Sequence, residues 1–178
     1  PEIRRGISYF QQANEIDPNY ARAYVGLSEA YRSLTLSAEM SPTEMLPKAL
    51  AAAQKAVELD DSFSEAHTAL GATLFWQWNW SEAENQYKRA LELYPNSGDA
   101  HIFYAHLLSN TGRHEEALSE AKRARELEPI FPFVNALEAQ FLLHAGQPDE
   151  ALSRAQKTLE LAPGFWMPHV FTSSAYIA

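Results

Sequence analysis

The chain has 178 residues, 46% of them hydrophobic, no cysteine, and a formal charge of −9. That length suits one domain or one short repeat array, and that hydrophobic share is globular, not disordered. The missing cysteines exclude a disulfide framework, a thiolate zinc site and a cysteine nucleophile, and the acidic balance argues against direct nucleic-acid binding.

No apolar run reaches the roughly eighteen residues of a membrane span, and no basic-then-apolar leader opens the chain. Starting at Pro1, it is expected to be a processed product or an excised fragment. The absence of cysteine fits a reducing, cytoplasmic location.

A period runs through the sequence. The turn residues Pro18, Asp61, Pro95, Pro129 and Pro163 sit in variants of one phrase, from "NEIDPNYARAY" to "LELAPGFWMPH". The last three intervals are 34 residues and the first is 43, so one unit carries an insertion at about 33–46.

In chain order, a helix is predicted over 2–16, followed by one extended to about Ala38. Ser41-Pro42-Thr43-Glu44 has the form of a capping box with Pro at the first helical position, read as a separate short turn before a main helix opening at Pro47. "SEAENQYKRALEL" places Ala83, Tyr87, Ala90, Leu91 and Leu93 near one helical face, with Asn79 or Ser81 as cap and Pro95 as stop. "TGRHEEALSEAKRAREL" repeats the scheme with Gly112 in the turn and Glu115 and Glu116 in the first helical turn. "AGQPDEALSRAQKTLEL" does so with Gly146 and Pro148, and a last helix is predicted over 166–177.

Aligned on the period, Ala49, Ala83, Ala117 and Ala151 share a column. Ala13, Ala56, Ala90, Ala124 and Thr158 share another, and Ser28, Gly71, Ala105, Ala139 and Ser173 a third. Small residues at fixed sites let helix axes approach to roughly 8 Å. The aliphatic column Ile16, Leu59, Leu93, Leu127 and Leu161 is expected to fill the core between them.

The 34-residue period, the small-residue columns, the closing proline and "GRHEEALSEAKRARELEP" together resemble the tetratricopeptide repeat, over the whole chain. The resemblance implies an all-α fold, an α-solenoid of stacked antiparallel helix pairs in a right-handed superhelix whose first helices line a concave groove. It implies a half repeat at 1–18, full repeats at about 19–61, 62–95, 96–129 and 130–163, and a half repeat at 164–178. A narrower resemblance rests on the Ala-His pair early in the repeat, the "W-x-W" before the second helix and the upstream insertion. It is to repeat regions of bacterial signalling proteins that carry winged-helix, adenylate cyclase or Ser/Thr kinase domains. Asp61 in the proline column and Glu138 in the core column of Leu27, Leu70 and Tyr104 depart from the pattern.

No catalytic constellation is legible, so the chain is expected not to be an enzyme and to need no cofactor or metal. His67, His101 and His169 recur in one column and are read as packing between helices. His106 and His144 have no second ligand at helical spacing, and His114 is read as a turn residue. Glu138 is expected to reach solvent or Arg154 by a local rotation after Pro132; the alternative is a pH-sensitive core acid.

The groove stripe, projected at helical spacing, includes Phe75, Trp76, Ile102, Phe103, His106, Asn110, Phe133, Leu137, Gln140 and His144. Some members of the family clamp a terminal carboxylate with Lys, Asn and Arg. The matching positions here are Arg22 and Gly26, Glu65 and Ala69, Asp99 and Phe103, so that clamp is absent. An apolar centre with acidic edges suits a protein or peptide with an apolar segment, bound by a scaffold or sensory arm. The rivals are a fragment of an enzyme and a self-assembly module, the latter as a homodimer through the terminal helices, where Ile3, Ile7, Phe10, Phe171, Tyr176 and Ile177 are short of partners.

Three tryptophans stand at alternate positions. The period places Trp76 at the groove-side end of a first helix, Trp78 in the turn and Trp80 at the start of the second helix. Trp78 occupies a helix-ending glycine column, so Asn79 is expected to take the left-handed conformation instead.

Overall fold

A computed structural model describes residues 2–36 and 39–176. Among them are ten helices and no strand: α1 (Glu2–Ile16), α2 (Ala21–Leu36), α3 (Pro42–Leu59), α4 (Ser64–Trp76), α5 (Trp80–Leu93), α6 (Gly98–Asn110), α7 (His114–Leu127), α8 (Pro132–His144), α9 (Pro148–Leu161) and α10 (Met167–Ala175). Residues up to Pro95 form one compact unit and those from Asn96 another.

In the first unit α2 packs on α1, α3 and α4, and α4 on α3 and α5. In the second, α6, α8 and α10 touch in succession, while α7 packs on α6 and α8, and α9 on α8 and α10. Within each unit, first helices thus make one layer and second helices another. Burial follows from that placement. The first helix α4 buries ten of its thirteen residues, whereas the second helix α5 buries only Ala83, Tyr87 and Ala90. A helix with neighbours on several sides is apolar nearly all round, and one at the edge needs a single stripe.

The small-residue columns are the contact. Ala49, Ala83, Ala117 and Ala151 are buried, as are Ala56, Ala90, Ala124 and Thr158. The aliphatic column does not fill the core as expected. Ile16 and Leu161 are exposed, and Leu59, Leu93 and Leu127 only half-buried. The column falls in the last turn of each second helix, beside turn residues that are all solvent-exposed.

The close approach is tightest at Gly71 of α4. A Cβ there would stand 2.8 Å from the Tyr87 ring and 3.2 Å from the Ala83 carbonyl oxygen. Tyr87 is among the largest fully buried side chains and has no room to retreat. Gly71→Ala is therefore expected to destabilise by about 1–2 kcal/mol, since overpacking outweighs the helix-propensity gain. Gly6→Ala in α1 meets nothing within 4 Å and is expected to stabilise by roughly 1 kcal/mol. Denaturant midpoints of the two variants should move in opposite directions.

Three first helices end the same way. Asn79 N–H donates to the Leu74 carbonyl at 3.0 Å, Arg113 to Leu108 at 2.9 Å, and Gln147 to Leu142 at 2.9 Å. This six-to-one closure needs a left-handed residue just before the donor. Gly112 (φ 80°) and Gly146 (φ 73°) supply it in two turns, but in the third it is Trp78 itself, at φ 63°. The expectation that Asn79 would take that role is corrected: Asn79 has φ −88° and stands at the N-cap position of α5 without a side-chain capping bond. The bond pattern fixes the position of the left-handed residue, so the tryptophan adopts it.

The insertion also differs from the expectation. α3 is one helix from Pro42, with Pro47 inside it, not a short turn followed by a helix at Pro47. Proline's fixed φ is helical, and at this early position it forfeits one ladder bond. Ser41 is the N-cap but its side chain makes no capping bond; its hydroxyl meets that of Thr43 at 2.7 Å, and Glu44 turns to Lys48 at 3.1 Å. Extension of α2 to Ala38 lies outside the described residues beyond Leu36, as does Ile177 in the last helix.

Asp61, the departure in the proline column, stands 3.4 Å from Nε2 of buried His67 and 3.8 Å from Arg89. His67 also bonds Gln86 through Nδ1 at 2.7 Å, and His101 pairs with Glu120 in the equivalent place. These two histidines pack between helices as read from the column. His169 does not: it is exposed on α10.

Candidate peptide-binding face

The second unit builds its core from Ile102, Ala105, Ala121, Ala124, Val134, Leu137 and Phe141. Ile102 and Leu137 were expected to face a ligand, and this is corrected: both are enclosed in that core. A stripe projected from helical spacing alone is too wide when the first-helix layer is covered on several sides.

Phe103 of α6 and Phe133 of α8 lie over the core, partly buried, with Met167 of α10. Their ring centroids are 6.0 Å apart, and Phe131, which is exposed, adds a third ring 6.2 Å from Phe133. The rings are tilted, an arrangement that aromatic quadrupoles favour. The result is an apolar strip across successive first helices.

The same helices carry a histidine cluster towards their C-terminal ends. His106 stacks on Phe141 with centroids 5.9 Å apart. Burial pushes its imidazole down to about 4, and the neighbouring His144 adds to the effect. His144 is exposed, accepts or donates a 2.8 Å hydrogen bond with Ser109, and lies 6.5 Å from the His114 ring. Partial desolvation of its ring and then His114 lower its pKa as well. Asn110 is exposed and donates to the His106 carbonyl at 2.8 Å; Gln140 is half-buried. Among the described residues no group of three or more His, Asp or Glu is placed to hold a metal ion.

In the first unit, Phe75 is half-buried and Trp76 exposed, in edge-to-face contact at 5.6 Å. Trp78 is 78% exposed, and its ring lies 5.5 Å from half-buried Trp80.

Glu138 is buried, not rotated to solvent, and does reach Arg154. Arg125 Nε donates to its Oε2 at 2.9 Å and Arg154 Nε lies 3.0 Å from the same oxygen. Sequence reading named Arg154 but missed Arg125. Its signal was present: Arg125 stands in a column otherwise filled by Val57, Leu91 and Leu159.

These layers of helix pairs define the class: the chain is an α-solenoid. Residues 77–141 match the family model described as tetratricopeptide repeat. A thermophilic tetratricopeptide repeat protein of Thermus thermophilus, TTC0263, superposes with a TM-score of 0.80 at 22% identity, over 97% of this chain and 89% of that one. YrrB, described as such a protein with an unusual peptide-binding site, is 26% identical with a TM-score of 0.59, over 94% and 82% of the two chains. Human IFIT1, solved as a dimer with m7Gppp-AAAA, gives 0.85 at 16% identity, over 98% of this chain and 42% of that one. No curated protein sequence matches significantly. The family match covers residues 77–141, and the solved structures share the fold of stacked helix pairs.

Proposed function

We propose that the chain is a non-enzymatic scaffold that docks an apolar segment of a partner protein on its first helices. The observation that carries this is the strip of Phe103, Phe133 and Phe131, rings held at 6.0–6.2 Å over a packed core yet incompletely covered. Such rigid aromatic area is what an amphipathic helix or extended apolar segment uses as an anchor. In this reading the whole chain is one repeat array with the boundaries given above. It serves as the interaction or sensory arm of a larger bacterial regulatory protein in the cytoplasm.

Phe75 and Trp76 offer a second anchor of the same kind. Binding of m7Gppp-AAAA by the IFIT1 fold does not transfer easily, because a formal charge of −9 repels a phosphate backbone. No helix among the described residues is long and apolar enough to cross a membrane.

The test is peptide selection from a random library, followed by fluorescence anisotropy. Phe103→Ala and Phe133→Ala are each expected to weaken binding by about 2 kcal/mol, roughly thirtyfold. Selected peptides that bind both variants as tightly as the parent would sink the reading.

Self-association is a second reading, favoured by α1. That helix has no buried residue, and Tyr9 and Ile16 are 58% and 87% exposed. Light scattering over a concentration series should then show dimers that Ile16→Glu abolishes; a concentration-independent monomer mass would exclude it.

A further inference from the structure

We infer that the cleft between α7 and α9 is a second binding site, one that takes the carboxylate of an acidic residue flanked by an apolar side chain in a peptide. The cleft has a volume of about 370 Å³. It is lined by Arg125 from α7, by Arg154, Lys157, Glu160 and Leu161 from α9, and by Pro129 and Asn135 near the start of α8.

Its charges are not required by the repeat. Glu138 stands where other repeats have Leu27, Leu70 and Tyr104, all buried. Arg125 stands where they have Val57, Leu91 and Leu159, and Arg154 where they have Ala52, Gln86 and Glu120. In the other full repeats apolar residues fill two of these three columns, with Thr172 and Asn14 the equivalents in the half repeats, and a buried ion cluster is often no more stable than its hydrophobic replacement. Two charged departures from apolar columns, meeting at one place with Arg154, therefore point to a use beyond packing.

The geometry leaves donors in the cleft. Both guanidinium groups approach one oxygen of Glu138 through their Nε atoms. The Nε of Arg154 lies 3.0 Å from that oxygen as an ion pair, without hydrogen-bond geometry. The terminal N–H groups of a guanidinium form a planar fork that matches a carboxylate.

Lys157 differs from its equivalents in the same direction. Lys55 pairs with Glu58 at 2.8 Å, Arg89 with Glu92 at 3.3 Å, and Arg123 with Glu126 at 3.4 Å and with Asn96 at 2.8 Å. Among the described residues Lys157 makes no ion pair, although Glu160 occupies the corresponding place. The charged residues that line the cleft are Arg125, Arg154, Lys157 and Glu160, so its lining carries more positive than negative charge and favours an anionic group. A neighbouring cleft further towards the N-terminus of α9 is lined by Glu138, Glu150 and Arg154, so Arg154 borders both. Pro129 and 49%-exposed Leu161 supply the apolar flank.

This site involves second helices and is independent of the aromatic strip, so either can fail alone. The test is an NMR titration of the full chain with acetyl-Leu-Glu-Leu-amide, acetyl-Leu-Gln-Leu-amide and inorganic phosphate. The Glu peptide should shift the Arg125 and Arg154 side-chain Nε–H signals saturably, and the Gln peptide should bind about tenfold more weakly or worse. Lys157→Glu, on an exposed side chain, should weaken the Glu peptide about tenfold with an unchanged melting temperature. The triple variant Arg125→Leu, Glu138→Leu, Arg154→Gln restores residues found in the other repeats; it should lose binding while remaining folded. Equal affinity for the two peptides, saturable phosphate binding without peptide binding, no saturable shift, or unchanged binding in Lys157→Glu would each overturn the proposal, whether or not the triple variant folds.

Discussion

Acidification from about pH 7 to about pH 4 is expected to remove roughly 3 kcal/mol of unfolding free energy through His106 alone. The imidazole titrates near 6.5 in an unfolded chain and is held down to about 4 in the fold, first by burial and then by His144. Between those values the unfolded chain binds one more proton than the native one, so stability rises with pH across that window. The contribution is complete above 6.5 and is lost as pH falls through 4. His144 acts in the same direction, its pKa lowered by partial desolvation of its ring and by His114. Urea denaturation at several pH values, on the parent and on His106→Gln, isolates the effect. The variant should show a shallower slope between pH 6.5 and 4, whatever its absolute stability. Identical slopes would mean that His106 is not held neutral by its place against Phe141.

How much of this was legible depends on which physical rule governs each residue. The small columns and the 34-residue period read directly, because close helix packing admits only Ala, Gly, Ser or Thr at those sites. The left-handed residue in each turn was legible as a column, at Gly112 and Gly146, but not at Trp78, where propensity pointed to Asn79. Backbone hydrogen bonding overrode side-chain preference there, since the Asn79 N–H to Leu74 bond requires the residue before it to turn. Pro47 misled in a similar way. Proline signals a helix start, yet it also fits inside a helix near its beginning, and α3 runs through it.

The candidate site was legible only in part. Helical projection found Phe103 and Phe133 but equally Ile102 and Leu137, which are core. Spacing along one helix cannot say which of several neighbouring helices covers a given residue. The Arg125–Glu138–Arg154 cluster needed a different comparison. Glu138 and Arg125 each break an apolar column, and the coincidence of the breaks in space, beside Arg154, appears only once α7, α8 and α9 are assembled.

The tryptophan turn supplies the other large effect. Trp80 is half-buried, and its indole Nε1 is buried without a hydrogen-bond partner. Removing the ring should cost about 2–4 kcal/mol, somewhat below the range for a fully buried tryptophan. Trp80→Phe should stay within about 1 kcal/mol of the parent, because it keeps most of the apolar contact and removes an unsatisfied donor. Trp78 separates backbone from side chain. Trp78→Ala and Trp78→Gly both delete a ring that is 78% exposed and lies 5.5 Å from Trp80. Only glycine also relieves a left-handed φ of 63°. Trp78→Gly is therefore expected to be about 1 kcal/mol more stable than Trp78→Ala, a few degrees in melting temperature. If the Gly variant proves no more stable than the Ala variant, the turn is not held by the left-handed conformation and this account of Trp78 is wrong.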